Sequence, residues 1–240
     1  MGFAKERKVS TLEKRIYIAE DDANIRNLEK AFLEKSGYMV EVFETGDLLY
    51  EEFQKQTPDL VILDIMMPGT DGLSLCATLR MESSVPIIIV SAKGSDMERV
   101  TGITMGCDDY LAKPFSPIEL VARVQAIFRR IEMMSDNKNT DEPILVYEDL
   151  KIDTARLEVL KENQKIDLTA NEFNLLAYLI KNKERAVSRD ELLSKLWDFG
   201  HNEIDTRATD DTMKRLRRKL ADANSSVKIE TVRGFGFRIG

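Results

Sequence analysis

The stretch DLVILDIMMPGTDG, residues 59–72, decides the fold class of this chain. An apolar run typical of a buried strand ends at one carboxylate, Asp64, and a turn with a proline and two glycines follows. Asp64 therefore has two interpretations. It either ends the strand or caps the next helix, or it is a nucleophile held at the edge of a sheet. The surrounding sequence has to distinguish between them.

Similar apolar runs recur on both sides of this stretch, up to about residue 130, and segments of helical period separate them. The runs are RIYIA, MVEVF, PIIIV and DYLA. Strands that are apolar throughout and alternate with helices indicate a parallel sheet covered by helices on both faces. The first half of the chain is therefore predicted to be an α/β domain with five strands.

A change of pattern then divides the chain. The stretch EMMSDNKNTDEP is polar and aperiodic, which is typical of a linker. Beyond it, ILVYEDLKID and RLEVLKENQKIDL predict short antiparallel strands, with a turn at Glu162 and Asn163. Three helices are predicted to follow, the second with a capping-box pattern of Ser188 and Glu191. The segment VKIETVRGFGFRIG predicts a closing hairpin around Gly234.

Composition and charge limit the class of protein. The 240 residues suffice for two domains, and 43% hydrophobic with 32% charged residues is typical of a globular chain. Residues 1–142 carry 17 Lys and Arg against 25 Asp and Glu, or −8, whereas residues 143–240 carry 18 against 17, or +1. No apolar run approaches the ~20 residues of a membrane helix. We therefore expect a cytoplasmic protein with no membrane partner and with free thiols at its two cysteines.

Several chemical groups fall at the carboxyl ends of the predicted strands, where ligands bind in parallel α/β sheets. Residues 20–22 (EDD) end the first strand, Asp64 the third and Ser91 the fourth, and Lys113 follows the fifth. Converging carboxylates repel each other unless a cation joins them, and such hard oxygen ligands suit Mg²⁺. The lysine and the serine hydroxyl suit the oxygens of a phosphoryl group. The pattern predicts phosphoryl transfer to a carboxylate nucleophile.

On the motifs IYIAEDDANIR, PDLVILDIMMPGTDG, VSAKG and GCDDYLAKPFSPIELVARV, the first half resembles the receiver domain of two-component response regulators. The second half resembles the winged-helix effector domain of the OmpR/PhoB class. The resemblance implies a flavodoxin-like, doubly wound (βα)5 fold followed by an α+β winged helix-turn-helix fold. The implied division is an N-terminal extension at 1–13, a receiver domain at 14–131, a linker at 132–142 and a DNA-binding domain at 143–240.

Carried over position by position, the resemblance implies a role for each group at the strand ends. It makes Asp22 a helix-capping residue and the peptide bond before Pro114 cis. The implied site residues are Asp64 as phosphoacceptor, Glu20, Asp21, Asp64 and the backbone carbonyl of Met66 as Mg²⁺ ligands, Ser91 and Lys113 as phosphoryl-binding groups, and Tyr110 as aromatic switch.

The resemblance also implies a phosphorylation-dependent homodimer. In the family, the serine and the aromatic switch move on phosphorylation and alter one face of the receiver, through which several members dimerise. That face comprises the fourth predicted helix, the fifth strand and the helix after it. Here it carries charges of both signs, which suits reciprocal ion pairs across a two-fold axis, although composition alone also allows a solvated surface. The residues are Arg99, Asp108, Asp109, Glu119, Arg123 and Arg130.

The predicted helix DTRATDDTMKRLRRKLADA has an apolar face, with Met213, Leu216 and Leu220, and an opposite charged face. A charged stripe is often only solvated. This one ends a helix-turn-helix-like unit and precedes a hairpin, as a recognition helix and its wing do. Asp211 departs from the family pattern. It lies on the face expected to meet the groove, where an acid repels phosphate, although its carboxylate can accept from cytosine N4. The expected DNA contacts are Arg207, Asp211, Thr212, Lys214, Arg215, Arg218, Thr231 and Arg233.

The implied partners are double-stranded DNA, a sensor histidine kinase, RNA polymerase through the loop WDFGHNEID, and a second copy of the chain. The single histidine, His201, lies in that loop and is not expected to be a phosphodonor, so the kinase is another protein. The chain is expected not to be an enzyme, apart from accepting a phosphoryl group and slowly losing it.

Two alternatives were considered for the strand-end aspartate. A phosphatase of the haloacid-dehalogenase type needs a second Asp two residues after the nucleophile, where this chain has Met66. A phosphorylation-independent DNA-binding regulator would have an unused receiver site, and the full set of acids, serine and lysine argues against it. Intact mass and DNA affinity, with and without acetyl phosphate and Mg²⁺, separate these possibilities.

Overall fold

The computed structural model describes residues 14–92, 102, 105–135, 144–154, 156–196 and 205–240. The fourth helix predicted for the first half, residues 96–106, lies mostly outside these ranges, so α4 denotes the helix after the fifth strand. The elements of the first half are β1 (Arg15–Ala19), α1 (Ala23–Lys35), β2 (Met39–Phe43), α2 (Gly46–Lys55), β3 (Leu60–Asp64), α3 (Gly72–Glu82), β4 (Ile87–Ser91), β5 (Asp109–Ala112) and α4 (Pro117–Ser135).

The first half has the predicted parallel sheet. Its five strands lie in the order β2-β1-β3-β4-β5, and each neighbouring pair is parallel. Every residue of β3 and β4 is buried, as their uninterrupted apolar sequences predict. Separate clusters of buried apolar side chains cover the two faces of the sheet. The prediction of a doubly wound α/β fold is confirmed.

The turn after β3 answers the question that Asp64 raised. Asp64 is the last residue of β3, and helix α3 begins only at Gly72. Asp71 caps that helix, because its carboxylate accepts from the amides of Leu73 and Ser74. A Cβ at Gly72 would lie 2.1 Å from the carbonyl oxygen of Asp64, so only glycine fits there. Asp64 is therefore not a cap, and its carboxylate is available for chemistry.

The second half carries two antiparallel sheets and three helices. One sheet has the order β6-β7-β8-β9 and the other β10-β12-β11. The helices share a core with both sheets. The elements are β6 (Ile144–Tyr147), β7 (Leu150–Asp153), β8 (Glu158–Lys161), β9 (Gln164–Ile166), α5 (Ala170–Lys181), β10 (Val187–Ser188), α6 (Arg189–Leu196), α7 (Asp205–Asp222), β11 (Ile229–Val232) and β12 (Gly236–Ile239).

The turns of the second half lie where the sequence predicted them. Glu162 and Asn163 join β8 to β9 with positive φ angles of 49° and 67°. Gly234, at φ 71°, joins β11 to β12 in the closing hairpin. The winged helix-turn-helix prediction is confirmed by this order of helices and hairpin.

Helix capping differs in one place from the prediction. The amide of Glu191 donates to the hydroxyl of Ser188, but the Glu191 carboxylate binds Tyr178 and Arg185 instead of completing a capping box. The reciprocal capping box lies one helix earlier, between Thr169 and Glu172 at the start of α5. The guanidinium at Arg185 competes for the carboxylate, which a local pattern does not reveal.

Helix α4 extends into the stretch that was predicted as a linker. Helix α4 continues to Ser135, four residues past the boundary predicted at residue 131, and residues 136–143 lie outside the described ranges. The predicted extension at 1–13 and the loop with His201 also lie outside them. None of the described helices is both long and apolar enough to span a membrane.

Candidate functional site

Three carboxylates converge at the carboxyl edge of the parallel sheet. Glu20 and Asp21 follow β1, Asp64 ends β3, and one oxygen from each lies within 4.8 Å of the others. Glu20 and Asp64 are buried and Asp21 is exposed. Arg26 fixes the backbone of this loop by donating to the carbonyl oxygens of Glu20 and Asp21, at 2.7 and 3.1 Å. The predicted acidic site therefore forms from separate strands.

Lys113 joins the two buried acids. Its ammonium lies 2.6 Å from a Glu20 oxygen and 2.7 Å from an Asp64 oxygen. Burial raises the pKa of Glu20, and the charge of Asp64 raises it further, while the hydrogen bond from Lys113 opposes both. Burial alone would lower the pKa of Lys113, but its hydrogen bonds to Asp64 and Glu20 outweigh burial and raise it. The lysine thus remains a cation beside the Asp64 carboxylate.

The other predicted groups lie on the strands β4 and β5 and just after β3. Ser91 is fully buried at the end of β4, and its carbonyl accepts from the Lys113 amide at 2.7 Å. The Tyr110 ring is buried within the core on one face of the sheet. The amide of Met66 donates to Asp64 at 3.1 Å, and its side chain is 53% exposed.

Two predictions of local conformation at this edge are confirmed. The Lys113–Pro114 peptide bond is cis. Asp22 caps α1 by accepting from the amides of Asn24 and Ile25, and these amides lower its pKa. Asp22 is therefore occupied as a cap and stays outside the group of converging carboxylates.

The residues present fit a hard divalent cation. Glu20, Asp21 and Asp64 supply carboxylate oxygens from two neighbouring strands, and Mg²⁺ prefers such ligands while retaining several waters. Burial, with a contribution from the charge of Asp64, raises the pKa of Glu20, and the charge of a bound cation would favour its ionised form. Met66 lies two residues after Asp64, and its carbonyl is the predicted fourth ligand.

The residues predicted for the dimer face differ in accessibility. Asp108 and Asp109 are 5% and 3% exposed, and both form ion pairs within the chain. Asp108 is bound by Arg80, and Asp109 lies 3.1 Å from Arg123. Arg123 also lies 2.9 Å from the more exposed Glu119. Arg99 and the side chain of Arg130 lie outside the described part of the chain.

The residues predicted to contact DNA also include both exposed and buried side chains. The side chains of Lys214, Arg218 and Arg233 are exposed, and Asp211 is half-buried. Thr212 is 1% exposed and accepts from Arg215, so we leave Thr212 out of the proposed DNA-contacting surface. Thr212 lies on the inner side of α7, next to the fully buried Met213. Arg215 is mostly buried. Thr231 is exposed, and its hydroxyl accepts from Arg217. The side chain of Arg207 lies outside the described residues.

Two arginines, Arg217 of α7 and Arg189 of α6, contact the wing. Arg217 donates to the carbonyl of Ile229 and to the hydroxyl of Thr231, at 2.9 and 3.0 Å. Its guanidinium lies 5.5 Å from the Phe237 ring centroid, and that of Arg189 lies 4.7 Å from it. Phe237 stands where the family pattern has tyrosine. These contacts fix the hairpin that carries Arg233 against the helix.

Sequence analysis missed three buried charged residues. Glu29 in α1 is 1% exposed, Arg80 in α3 donates to four partners, and Glu172 in α5 is fully buried. Each reads in the sequence as an ordinary charge on an amphipathic helix. For Glu29 there was a usable signal, because it lies four residues before the buried Leu33 on the inward face of α1.

Comparison with known proteins gives consistent results for both halves. Two protein-family models match the chain: "Response regulator receiver domain" over residues 16–125 and "Transcriptional regulatory protein, C terminal" over residues 163–239. The chain is 38% identical to the transcriptional regulatory protein ResD of Bacillus subtilis over 235 residues, 95% of this chain and 96% of ResD.

Further relatives cover the chain to a similar extent. The chain is 40% identical to the probable transcriptional regulator ycf27 of Galdieria sulphuraria over 228 residues, 94% of this chain and 89% of that protein. Among solved structures, a mutant of RitR superposes with a TM-score of 0.70 at 26% identity, covering 95% of this chain and 99% of that one.

Proposed function

Since the chain belongs to the two-component response regulators of the OmpR/PhoB type, with a receiver domain and a DNA-binding transcriptional regulatory domain, we propose that phosphorylation of Asp64 by a partner histidine kinase controls its binding to DNA. The observation that carries this proposal is the Lys113 ammonium held between Glu20 and Asp64. A cation beside a buried carboxylate at the open edge of a sheet suits an incoming phosphoryl group.

The proposed transfer is a direct displacement at phosphorus. An Asp64 oxygen attacks the phosphorus atom, and the bond from phosphorus to the donor breaks, so that the electron pair leaves with the donor nitrogen or oxygen. Lys113 balances the charge of the transferred group, and the hydroxyl of the buried Ser91 is the proposed donor to one of its oxygens. When Mg²⁺ is bound, Glu20, Asp21, Asp64 and the Met66 carbonyl would hold it, and it neutralises phosphoryl charge.

The function is tested by mass and by binding. Acetyl phosphate with Mg²⁺ should add one phosphoryl group to the intact chain, and the phosphorylated chain should bind duplex DNA more tightly. A chain that takes up the group but binds DNA equally well in both forms would support the phosphorylation-independent alternative. A chain that takes up none would remove the receiver function.

We further propose that phosphorylated chains dimerise through the face that carries Glu119 and Arg123. Arg123 already balances Asp109 and Glu119 within its own chain. Reciprocal ion pairs with a two-fold partner therefore form only if Arg123 exchanges one of these contacts within its own chain for a contact with the partner. Asp108 and Asp109, which are buried, act in this proposal by orienting other groups of the face.

Reversing the charge at this face is expected to prevent dimerisation. Arg123→Glu places an acid beside Asp109 and Glu119, and Glu119→Lys reverses an exposed charge while leaving the Asp109–Arg123 pair intact. Both variants should remain monomeric in analytical ultracentrifugation after treatment with beryllofluoride and Mg²⁺. Arg156→Glu, at an exposed position in the second half, is the matched control and should dimerise. If Glu119→Lys dimerises like the parent chain, this face is not the interface.

The DNA contacts are proposed to be of two kinds. Lys214 and Arg218 project from the outer side of α7, where a recognition helix meets base edges, and Arg233 lies on the wing. A base contact contributes roughly 1–3 kcal/mol of discrimination. A phosphate contact contributes affinity that falls with salt, about 0.9 of log–log slope each.

Alanine variants are expected to separate the two kinds. Lys214→Ala and Arg218→Ala should lose about tenfold or more in affinity for a selected target, and less for random duplex, as base contacts imply. Arg233→Ala should weaken binding to both duplexes alike and reduce the slope of log affinity against log salt by about one unit. Lys151→Ala, which removes an exposed cation from the four-stranded sheet, is the control. Unchanged affinities and slopes in all three variants would show that α7 and its wing do not read DNA.

A further inference from the structure

A short loop supplies two of the three carboxylates at the sheet edge. Residues 20–22 join the end of β1 to the start of α1. One oxygen each of Glu20, Asp21 and Asp64 lies within 4.8 Å of the others. Like charges at this separation repel each other, so the side chains of the loop turn apart unless contacts hold them. The convergence of the carboxylates therefore depends on groups that fix the loop from behind.

The two acids of this loop are held to different degrees. One oxygen of the buried Glu20 carboxylate accepts from Lys113 at 2.6 Å, and the other accepts from the amide of Asp22 at 3.3 Å. The Asp21 carboxylate is exposed, and none of the residues that the structure describes donates a hydrogen bond to it. The direction of the Asp21 side chain is therefore set by its backbone alone, through the φ and ψ angles that orient the Cα–Cβ bond.

One guanidinium fixes this backbone. The Nη1 atom of Arg26 donates to the carbonyl oxygen of Glu20 at 2.7 Å and to that of Asp21 at 3.1 Å. A carbonyl moves with the rigid peptide plane to which it belongs, so holding both carbonyls restricts the ψ angles of both residues. Hydrogen bonds from a charged donor are also stronger than those between neutral groups. The contacts of Arg26 therefore restrict the direction in which Asp21 points.

The position of Arg26 in α1 is unfavourable for a cation by local rules. It is the fourth residue of the helix, close to the amino-terminal end, where the helix dipole disfavours positive charge. Its side chain is half-buried and reaches back to the loop that precedes the helix. The two bonds to the loop offset this electrostatic cost, so the contribution of Arg26 lies in the loop and not in the helix.

We propose that Arg26 is a positioning residue of the Mg²⁺ site, which holds the loop in the conformation where the Asp21 carboxylate meets those of Glu20 and Asp64. This inference rests on the proposed function, because it assigns a further residue to the same site. Arg26 acts on the cation only through the loop. Groups that orient metal ligands from behind contribute roughly 10–100-fold to metal affinity.

The charge and the hydrogen bonds of Arg26 affect metal binding in opposite directions. A guanidinium near the site repels Mg²⁺, so if its charge dominated, removing Arg26 would strengthen Mg²⁺ binding. If Arg26 orients the loop, removing it weakens Mg²⁺ binding. We expect weakening, because salt and water screen the repulsion at this open edge of the sheet, whereas the hydrogen bonds act at contact distance.

Titration of the full chain with Mg²⁺ alone, followed by isothermal titration calorimetry, tests the proposal. Arg26→Ala should bind Mg²⁺ about tenfold more weakly than the parent chain. Both bonds to the loop start from one nitrogen, so the ammonium of Arg26→Lys can replace them and should recover most of the affinity. Arg26→Gln has a shorter, neutral donor and should bind Mg²⁺ more weakly than Arg26→Lys. The comparison of Gln with Lys decides the question if Arg26→Ala does not fold.

Lys30→Ala is the matched control. Lys30 lies one turn further along α1 and pairs with Glu34 at 3.7 Å, so this change removes the same charge from the same helix without a contact to the loop. It should bind Mg²⁺ like the parent. Urea denaturation without Mg²⁺ establishes that each variant is folded. Folded Arg26→Ala that binds Mg²⁺ as tightly as the parent, or more tightly, would overturn the proposal, even if it is less stable.

Phosphorylation by acetyl phosphate gives a second readout. Arg26→Ala should need about tenfold more Mg²⁺ to reach its half-maximal rate of phosphoryl uptake. At saturating Mg²⁺ its rate should return to that of the parent, because Asp64 and Lys113 are unchanged. A lower rate at saturating Mg²⁺ with an unchanged Mg²⁺ requirement would mean that Arg26 acts on the transfer itself, which contradicts a positioning role.

The two proposals fail in different ways. If the parent chain binds Mg²⁺ but takes up no phosphoryl group, the proposed function is wrong, and the Mg²⁺ titration still decides the role of Arg26. If the parent is phosphorylated and Arg26→Ala binds Mg²⁺ equally well, the proposed function stands and the role assigned to Arg26 is wrong. A parent chain that binds no Mg²⁺ would overturn both.

Discussion

An Asp64→Asn chain is expected to take up no phosphoryl group from acetyl phosphate in the presence of Mg²⁺. The amide lacks the charged oxygen that is proposed to attack phosphorus. Among the described residues, Asp64 alone combines a carboxylate in contact with Lys113 and a position at the end of β3. The fold should persist, because Asn keeps an oxygen that can accept from the Met66 amide. Intact mass after incubation measures the loss, which should be complete.

The matched control for this variant is Asp22→Asn. Asp22 belongs to the same acidic stretch but caps α1, and Asn caps helices about as well as Asp. This chain should therefore be phosphorylated like the parent, and its DNA affinity should rise on phosphorylation. Uptake by Asp64→Asn at the parent level would transfer the acceptor role to another residue, and peptide mapping would identify it.

The parts of the fold that follow from local sequence were predicted well. The uninterrupted apolar runs of β3 and β4 can only be buried on both faces, so a parallel sheet follows, and its topology brings the strand ends together. Glu20, Asp64 and Lys113 therefore meet although 93 residues separate the first from the last. The turns could also be predicted, because Gly234 and Asn163 are residue types that adopt positive φ readily.

What sequence could not reveal is how charged residues are distributed between surface and interior. Asp108 looks like a surface acid on a charged face, yet it is buried because Arg80 reaches it from α3. Thr212 lies beside exposed cations in sequence, yet it points inward with Met213. Both outcomes depend on contacts between elements distant in the chain, and helical period alone cannot resolve neighbouring positions on the border of a face.

Glu29 is the clearest case of a charge that its local pattern does not explain, and it has a large expected effect on stability. Its side chain is 1% exposed in α1, and neither carboxylate oxygen has a hydrogen-bond partner among the described residues. Burial, reinforced by the charge of Glu20, raises its pKa to about 8. Near neutral pH the folded chain therefore holds this acid mostly protonated, whereas the unfolded chain ionises it.

The sign of the pH dependence follows from this difference. Between the ordinary pKa of Glu and a pKa of about 8, the folded state binds more protons than the unfolded state, so the free energy of unfolding falls as pH rises. Each unit of pH in this window contributes at most about 1.4 kcal/mol, so the loss between about pH 5 and pH 8 is on the order of 3 kcal/mol. The stability contributed by protonated Glu29 is fully present below the ordinary pKa.

Glu29→Gln should remove this pH dependence, and Glu29→Leu should in addition remove the cost of unpartnered polar atoms. Glu29→Gln should be more stable than the parent by roughly 2–3 kcal/mol near pH 8 and should differ little from it near pH 5, whereas Glu29→Leu should be more stable than the parent at both pH values. Urea denaturation at the two pH values measures the difference, and Glu34→Gln, an exposed acid on the same helix, is the control. Parallel stability profiles for the parent and Glu29→Gln would mean that Glu29 ionises in the folded chain.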